Sequence, residues 1–257
     1  MRAGPIWAVM RAVWIELLRR RDLSVVAFLM AVYLLGVFAV RTAGIENPET
    51  GTLLLNLGLT LAAGAAHVLA VLMATRQVAE ELEHRTLLTL LARPVDRTAV
   101  LAAKWLAVAV AGAACLAVLG GVAWLSVPRL ESYHPGMLAQ AVVAGALSVA
   151  LAAALALALS LVVPKAVATL VTLGLVFGAG TLLPLLRIWA DRRAAGPLWA
   201  WLLGYLPDFG KLDLVVRYTD GIAPLPAAEA GALFLYGGLF TAALLVLAAW
   251  RFRRMPL

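Results

Sequence analysis

Six long apolar runs restrict this chain to a narrow set of folds. The runs cover residues 23–40, 53–75, 100–125, 137–163, 166–186 and 230–250. Each is about as long as a helix must be to cross roughly 30 Å of hydrocarbon. Because 64% of the residues are apolar and only 14% are charged, against about half and a quarter in soluble domains, no soluble fold is expected. The sequence predicts an all-α integral membrane protein with six transmembrane helices.

Residues 1–22 predict a helix that lies along the membrane surface. Apolar residues, among them Trp7 and Trp14, recur at helical spacing on one face, and tryptophan and arginine are both favoured at the interface. The segment ends in Arg19, Arg20 and Arg21. A cleaved signal peptide is not expected, because the basic region is too long and run 23–40 can itself span the membrane.

The distribution of basic residues predicts the orientation. With both termini in the cytoplasm, the cytoplasmic side carries fourteen of the 21 Lys and Arg residues, and the outer side carries seven. An excess of Lys and Arg in cytoplasmic segments is the general rule for membrane proteins. We therefore expect a multi-pass protein of a bacterial-type inner membrane, with both termini cytoplasmic.

The two longest connecting segments have different expected locations. Residues 76–99 form a cytoplasmic loop, and residues 187–229 form an external segment. The apolar stretch 198–206 within the second is too short to span, so we expect the segment to lie in, or dip into, the outer interface. With no internal repeat, residues 1–257 are predicted to form a single transmembrane domain.

The sequence lacks the usual motifs of an enzyme. It contains no His-Glu-x-x-His zinc motif, no Gly-x-Ser-x-Gly elbow and no P-loop. We therefore expect no metal or cofactor in this chain, and any ATP must be hydrolysed by another subunit. The net charge of +7 comes from clusters at the ends of the apolar runs, which predicts contacts with lipid headgroups and no nucleic acid. The lone Cys115 lies within an apolar run and is interpreted as a packing residue.

His67 is the ionisable residue well inside a predicted span. Such a residue is by default a candidate for function. A neutral histidine can also serve packing by forming a hydrogen bond between helices, and no second acid or base lies at its depth. Packing is the favoured interpretation, and an intramembrane polar site at His67 is the alternative.

The cytoplasmic loop contains the sequence EELEHRTLLTLLARPVDR, from Glu80 to Arg97. Its acidic start suits the positive end of a helix, and Pro94 would stop that helix. We expect a short helix parallel to the membrane. Its leucines are bunched, so periodicity alone is equally compatible with a loop helix that has no special role.

At these residues the sequence resembles the permease subunits of type 2 ABC exporters. In that family an acidic pair, Thr-Leu, Leu-Leu-x-x-Pro-Val-x-Arg and a downstream lysine recur between spans two and three. The matching positions here are Glu81, Glu83, Thr86, Leu87, Leu90, Leu91, Pro94, Val95, Arg97 and Lys104. The resemblance extends to the surface helix, the six spans and the external segment before the last span.

The resemblance implies that residues 81–91 form a coupling helix, which rests on a separate ABC ATPase subunit. ATP and Mg²⁺ would then be bound by that partner, and two permease copies would face each other as a homodimer. The implied ATPase-coupling residues are Glu81, Glu83, Thr86, Leu87, Leu90, Leu91, Pro94, Arg97 and Lys104. Membrane lipids and an extracytoplasmic protein are further implied partners.

Residues 206–214 also resemble the branch of this family that contains the nitrous-oxide-reductase maturation permeases. That branch has a Pro-Asn-hydrophobic motif in this region, and here the motif reads Pro207-Asp208-Phe209. Asp208 departs from the usual asparagine.

Two other classes of function stay open on the sequence alone. A membrane-embedded enzyme that modifies lipids would need paired acids or histidines at one depth. A structural anchor for an envelope assembly would leave the cytoplasmic motif without a role. The spans contain few polar residues that could specify a substrate, which mildly favours an amphipathic or apolar one.

Overall fold

The computed structural model describes residues 22–44, 47–83, 97–127, 134–178 and 206–254, together with positions 11, 14, 15, 184–186 and 188. All regular elements in these ranges are helical, in agreement with the predicted all-α class. The helices are α1 (Asp22–Thr42), α2 (Pro48–Glu83), α3 (Arg97–Ser126), α4 (Pro135–Ser160), α5 (Lys165–Gly178), α6 (Val215–Thr219) and α7 (Ala227–Arg253). A 3₁₀ turn, Phe209–Leu212, precedes α6.

Four of these helices are long and apolar enough to cross a membrane, and they are α2, α3, α4 and α7. The apolar parts of two others, Val26–Thr42 in α1 and Lys165–Gly178 in α5, are shorter. Each of the six apolar runs in the sequence lies mostly on one of these helices. Run 166–186 continues past the end of α5 into residues that are mostly outside the described ranges.

Helix α2 differs from the prediction because it extends far beyond the apolar run 53–75. It has 36 residues, which corresponds to about 54 Å at roughly 1.5 Å per residue. Glu81 and Glu83, which were expected to begin a separate helix, lie instead in the last turn of α2. The reason is local: residues 76–83 contain neither Gly nor Pro and include good helix formers, so nothing interrupts the helix. The rest of the predicted coupling helix 81–91 falls within residues 84–96, which lie outside the described ranges.

Helix α4 occupies the centre of the bundle and packs against α2, α3, α5 and α7. Its residues 151–157 are all buried, and Ala152, Ala153 and Ala154 have no exposed surface. Small residues allow close approach of helices in a membrane protein. At Gly112 of α3, a Cβ atom would lie 2.5 Å from Val149 Cγ1 of α4 and 3.1 Å from Ala70 Cβ of α2. Three helices therefore meet at this glycine.

Helix α1 lies at the edge of the bundle. Its Tyr33 is buried, and the hydroxyl group lies 3.1 Å from the carbonyl oxygen of Leu54, to which it donates. Phe28, Leu35 and Phe38 on its other side are 66–68% exposed. The predicted surface helix 1–22 is mostly outside the described ranges, but the Trp14 indole donates to the carbonyl oxygen of Ala107 at 3.3 Å. The N-terminal segment thus contacts α3.

The segment 206–226 enters the bundle instead of lying on its surface. Phe209 and Leu212 belong to the same buried cluster as the centre of α4, and Leu214 and Tyr218 belong to a second cluster with Leu55. Gly237 of α7 makes room for this packing, since a Cβ there would lie 2.6 Å from Leu147 Cδ2 and 3.4 Å from Leu212 Cδ1. The described part of this segment therefore packs among the helices.

Candidate functional site

A cavity of about 560 Å³ lies between the helices and the segment 206–226. Residues of α2, α3, α4 and α5 line it, together with residues 209, 210, 212–215 and Tyr218 of the inserted segment. Its volume is within the usual range for sites that bind small molecules. Most of the wall is apolar or small, with Gly64 from α2, Gly121 from α3 and Gly145 from α4. The inserted segment therefore completes a chamber that the helices alone would leave open.

His67 and Ser148 form a polar pair in the wall of this cavity. His67 Nε2 lies 2.9 Å from Ser148 Oγ, and His67 Nδ1 lies 2.8 Å from the carbonyl oxygen of Ala63. A carbonyl oxygen can only accept, so Nδ1 carries the proton, and in the neutral ring Nε2 accepts from the Ser148 hydroxyl. The ring is only 7% exposed, and burial favours its neutral form over the charged one. The two bonds join α2 to α4.

This pair does not have the surroundings of a catalytic Ser-His pair. Ser148 lies in the middle of α4, where backbone N–H groups are already used within the helix. A serine nucleophile needs such donors to stabilise the developing oxyanion. Among the described residues, no group of three or more His, Cys, Asp or Glu side chains could hold a metal ion. The pair is suited to joining two helices and to offering a polar contact to a ligand.

Hydrogen bonds from three helices hold the inserted segment in place. The Asn56 amide of α2 donates to Thr219 Oγ1 at 2.9 Å, and the Trp124 indole of α3 donates to the Tyr218 hydroxyl at 2.7 Å. The Gln140 amide of α4 both donates to the carbonyl oxygen of Leu225 and accepts from its N–H, at 2.9 and 2.8 Å. Because one amide group makes both bonds to Leu225, it fixes the orientation of the Leu225 backbone as well as its distance from α4.

The motif Pro207-Asp208-Phe209 shapes the turn at which the segment enters the bundle. One Asp208 carboxylate oxygen accepts the N–H of Gly210 at 3.1 Å, and the N–H of Asp208 donates to the Tyr236 hydroxyl at 2.7 Å. Asparagine can form the same side-chain turn. The departure from the asparagine of the related motif therefore preserves the local geometry.

Asp213 lies at the cavity and keeps an exposed side chain. One of its carboxylate oxygens accepts the N–H of Val215 at 3.1 Å. This bond orients the carboxylate at the start of α6. Among the lining residues that the structure describes, Asp213 is the single charged side chain.

A second feature lies at the far end of the bundle, where α2 ends and α3 begins. Lys104 is only 2% exposed, and its ammonium group donates to the carbonyl oxygen of Gln77 at 2.8 Å. Gln77 lies about 9 Å before the end of α2, and Lys104 lies about 10 Å after the start of α3. This contact, which we call the Lys104 brace, joins the two helices from which the loop 84–96 extends.

The residues predicted to couple to an ATPase are thus only partly described. Glu81 and Glu83 are in the last turn of α2, Arg97 is the first residue of α3, and Lys104 is in the brace. Thr86, Leu87, Leu90, Leu91 and Pro94 lie outside the described ranges. Ser148, Gln77 and Asp213 were not predicted as partners, since serine, glutamine and aspartate in these positions carry no recognisable motif.

Comparison with known proteins supports one family. No curated protein matches the chain. A family model described as ABC-2 family transporter protein matches residues 7–257, which is nearly the whole sequence and includes the loop, the cavity and the inserted segment. The chain therefore belongs to the ABC-2 transporter family, as a multi-pass membrane permease of an ABC transporter.

Proposed function

We propose that this chain is the membrane half of an ATP-driven exporter, or of a machine that transmits the work of ATP hydrolysis across the membrane. The family match over residues 7–257 carries this proposal, since ABC-2 permeases in general work with an ABC ATPase. ATP and Mg²⁺ would be bound by that separate subunit. Two permease copies would form the membrane part of the complex, as the resemblance in the loop implies.

The proposed coupling element is the loop 84–96 with the helices that carry it. The apolar part of α2 ends at Gln77, and the helix continues for six more residues, or about 9 Å. A continuous helix can transmit a displacement from its end to the membrane, because packed helices move as rigid bodies. The Lys104 brace supports this role, since it ties α2 and α3 together just below the loop.

The proposed topology has six spans and places both termini in the cytoplasm of a bacterial-type inner membrane. Single cysteines at Lys165 and Arg253 should then react with a membrane-impermeant maleimide only from the cytoplasmic side, and cysteines at Glu49 and Asp220 only from the outside. All four side chains are exposed, so labelling reports sidedness and not burial. Cys115→Ala provides the background, because Cys115 is a free cysteine. Cytoplasmic labelling of Glu49→Cys would contradict this topology.

If a separate subunit hydrolyses ATP, as proposed, the purified chain should hydrolyse no ATP alone. Isolation from its own membranes in a mild detergent should recover a P-loop ATPase with two copies of each subunit, and ATPase activity should require that partner. The measurements are mass spectrometry of the copurified proteins and phosphate release with and without the partner. Recovery of the chain as a stable complex that contains no P-loop protein would exclude this proposal.

The other functions left open by the sequence gain no support from the described residues. A lipid-modifying enzyme would need more than the His67–Ser148 pair, in which both ring nitrogens already have partners. The relation to nitrous-oxide-reductase maturation permeases, and with it an extracytoplasmic protein partner, stays a prediction.

A further inference from the structure

The cavity between α2, α3, α4, α5 and the inserted segment has a charge character that selects among ligands. Asp213 supplies a negative charge, and no Lys or Arg is among the described lining residues. Lys211, two residues away, lies over the Tyr236 ring at 5.0 Å and is not among the lining residues. The neutral His67 adds no positive charge. An anionic group entering this cavity would lose hydration and meet only a carboxylate, which is unfavourable.

Aromatic side chains reinforce the same preference. Trp124 of α3, Phe177 of α5 and, from the inserted segment, Phe209 and Tyr218 line the cavity. The faces of aromatic rings carry negative potential and attract organic cations, more strongly when water is excluded. The Tyr218 hydroxyl accepts from Trp124 Nε1 at 2.7 Å, so these two rings are fixed relative to each other. A carboxylate beside aromatic walls is a suitable environment for a poorly hydrated cation.

The rest of the wall favours an apolar body on that cation. Leu59, Leu116, Leu138 and Val176 contribute aliphatic surface, and Gly64, Gly120 and Gly121 leave space next to it. A Cβ atom at Gly121 would meet nothing within 4 Å. The Ser148 oxygen keeps a lone pair that can accept a hydrogen bond, which offers a polar contact that does not require a charged ligand group.

We propose that this cavity is a binding site for apolar monocations, in which the hydrophobic body of the ligand lies among α2, α3, α4 and α5 and its positive centre faces Asp213. Hydrophobic amines and quaternary ammonium or phosphonium compounds belong to this class. The inference deepens the proposed function, because it names the class of compound that the exporter would move. Binding itself requires only the permease.

Tetraphenylphosphonium and tetraphenylborate are the probes for this site, since they share a shape and differ in the sign of their charge. We expect saturable binding of tetraphenylphosphonium to the purified permease in zwitterionic lipid nanodiscs, near one equivalent per chain by equilibrium dialysis. Empty nanodiscs give the lipid background. Tetraphenylborate should show no saturable binding above that background. Equal saturable binding of both ions, or of neither, would overturn the proposal.

Three variants locate the site. Asp213→Asn retains an oxygen that can accept from Val215, and it should weaken tetraphenylphosphonium binding roughly five- to tenfold by removing the charge. Gly121→Leu should fill the cavity and abolish binding. Gly238→Leu is the matched control, because Gly238 in α7 also has open space at its Cβ position but does not line the cavity. It should bind like the parent protein.

The outcomes separate this inference from the proposed function. Unchanged affinity in Asp213→Asn, or parental binding in Gly121→Leu, would refute the site even if a P-loop ATPase copurifies with the chain. Size-exclusion elution and thermal unfolding of each variant show that a loss of binding is not a loss of folding. If binding follows the predicted pattern but isolation of the chain from its own membranes recovers no P-loop ATPase, the site is supported and the proposed function is contradicted.

Discussion

Leu90→Asp in the loop 84–96 is expected to abolish copurification of the ATPase while the chain still inserts into the membrane. If Leu87, Leu90 and Leu91 dock on the partner, the aspartate places an unpaired charge in a contact that excludes water. Such a charge costs roughly 2–5 kcal/mol, and about 3 kcal/mol lowers affinity more than a hundredfold. The measurement is the amount of ATPase recovered per permease in a mild detergent.

Variants at the charged ends of the loop should give a different result. Glu81→Ala and Arg97→Ala remove charges at the end of α2 and the start of α3, and they should leave a complex that forms but couples poorly, because charged contacts set register as well as affinity. Glu229→Ala in the first turn of α7 is the control, since Glu229 is exposed near the opposite end of the bundle. A Leu90→Asp complex that assembles and hydrolyses ATP normally would remove the loop from the coupling mechanism.

The four long apolar helices α2, α3, α4 and α7 could be predicted from the sequence, because a membrane imposes length and composition on the helices that cross it. The ends of the helices could not be predicted in the same way. The apolar signal in α2 stops near Thr75, but hydrogen bonding within a helix does not require apolar residues, and residues 76–83 continue it. The same difference between hydrophobicity and helicity explains why the acidic residues appeared to start a new helix.

The cavity was largely invisible in the sequence because its polar members are far apart in the chain. His67 was recognisable, since an ionisable residue within a span is unusual. Its partner Ser148 is 81 residues away, and a serine in an apolar helix carries little information by itself. Asp213 belongs to a segment whose insertion depends on side chains from α2, α3 and α4, among them Asn56, Trp124 and Gln140. Such contacts emerge only from the packing of the whole bundle.

The contacts of Lys104 could not be predicted from the sequence either, because the related motif includes a lysine at this position without indicating what it contacts. Here the ammonium group is buried and donates to the carbonyl oxygen of Gln77. This position prevents Lys104 from being a simple surface contact for the ATPase in this arrangement. We therefore expect a positioning role for Lys104: the lysine fixes α2 against α3, and in the proposed coupling the two helices would present the loop to the partner in a defined register.

Lys104→Met is expected to separate coupling from assembly. Methionine retains the apolar length of the side chain but leaves the Lys104 brace without its donor, and a hydrogen bond from a charged group contributes about 1.5–3 kcal/mol. Because about 1.4 kcal/mol corresponds to a tenfold change in an equilibrium, the braced arrangement should lose at least about tenfold in population relative to others. The ATPase should still copurify, since the leucines of the loop are unchanged, but ATPase activity of the complex in lipid should fall by about tenfold.

Lys165→Met is the matched control, as Lys165 begins α5 at the same end of the bundle with an exposed side chain. Normal activity of the Lys104→Met complex would show that coupling does not depend on the brace, whereas loss of the complex itself would show that Lys104 acts in assembly.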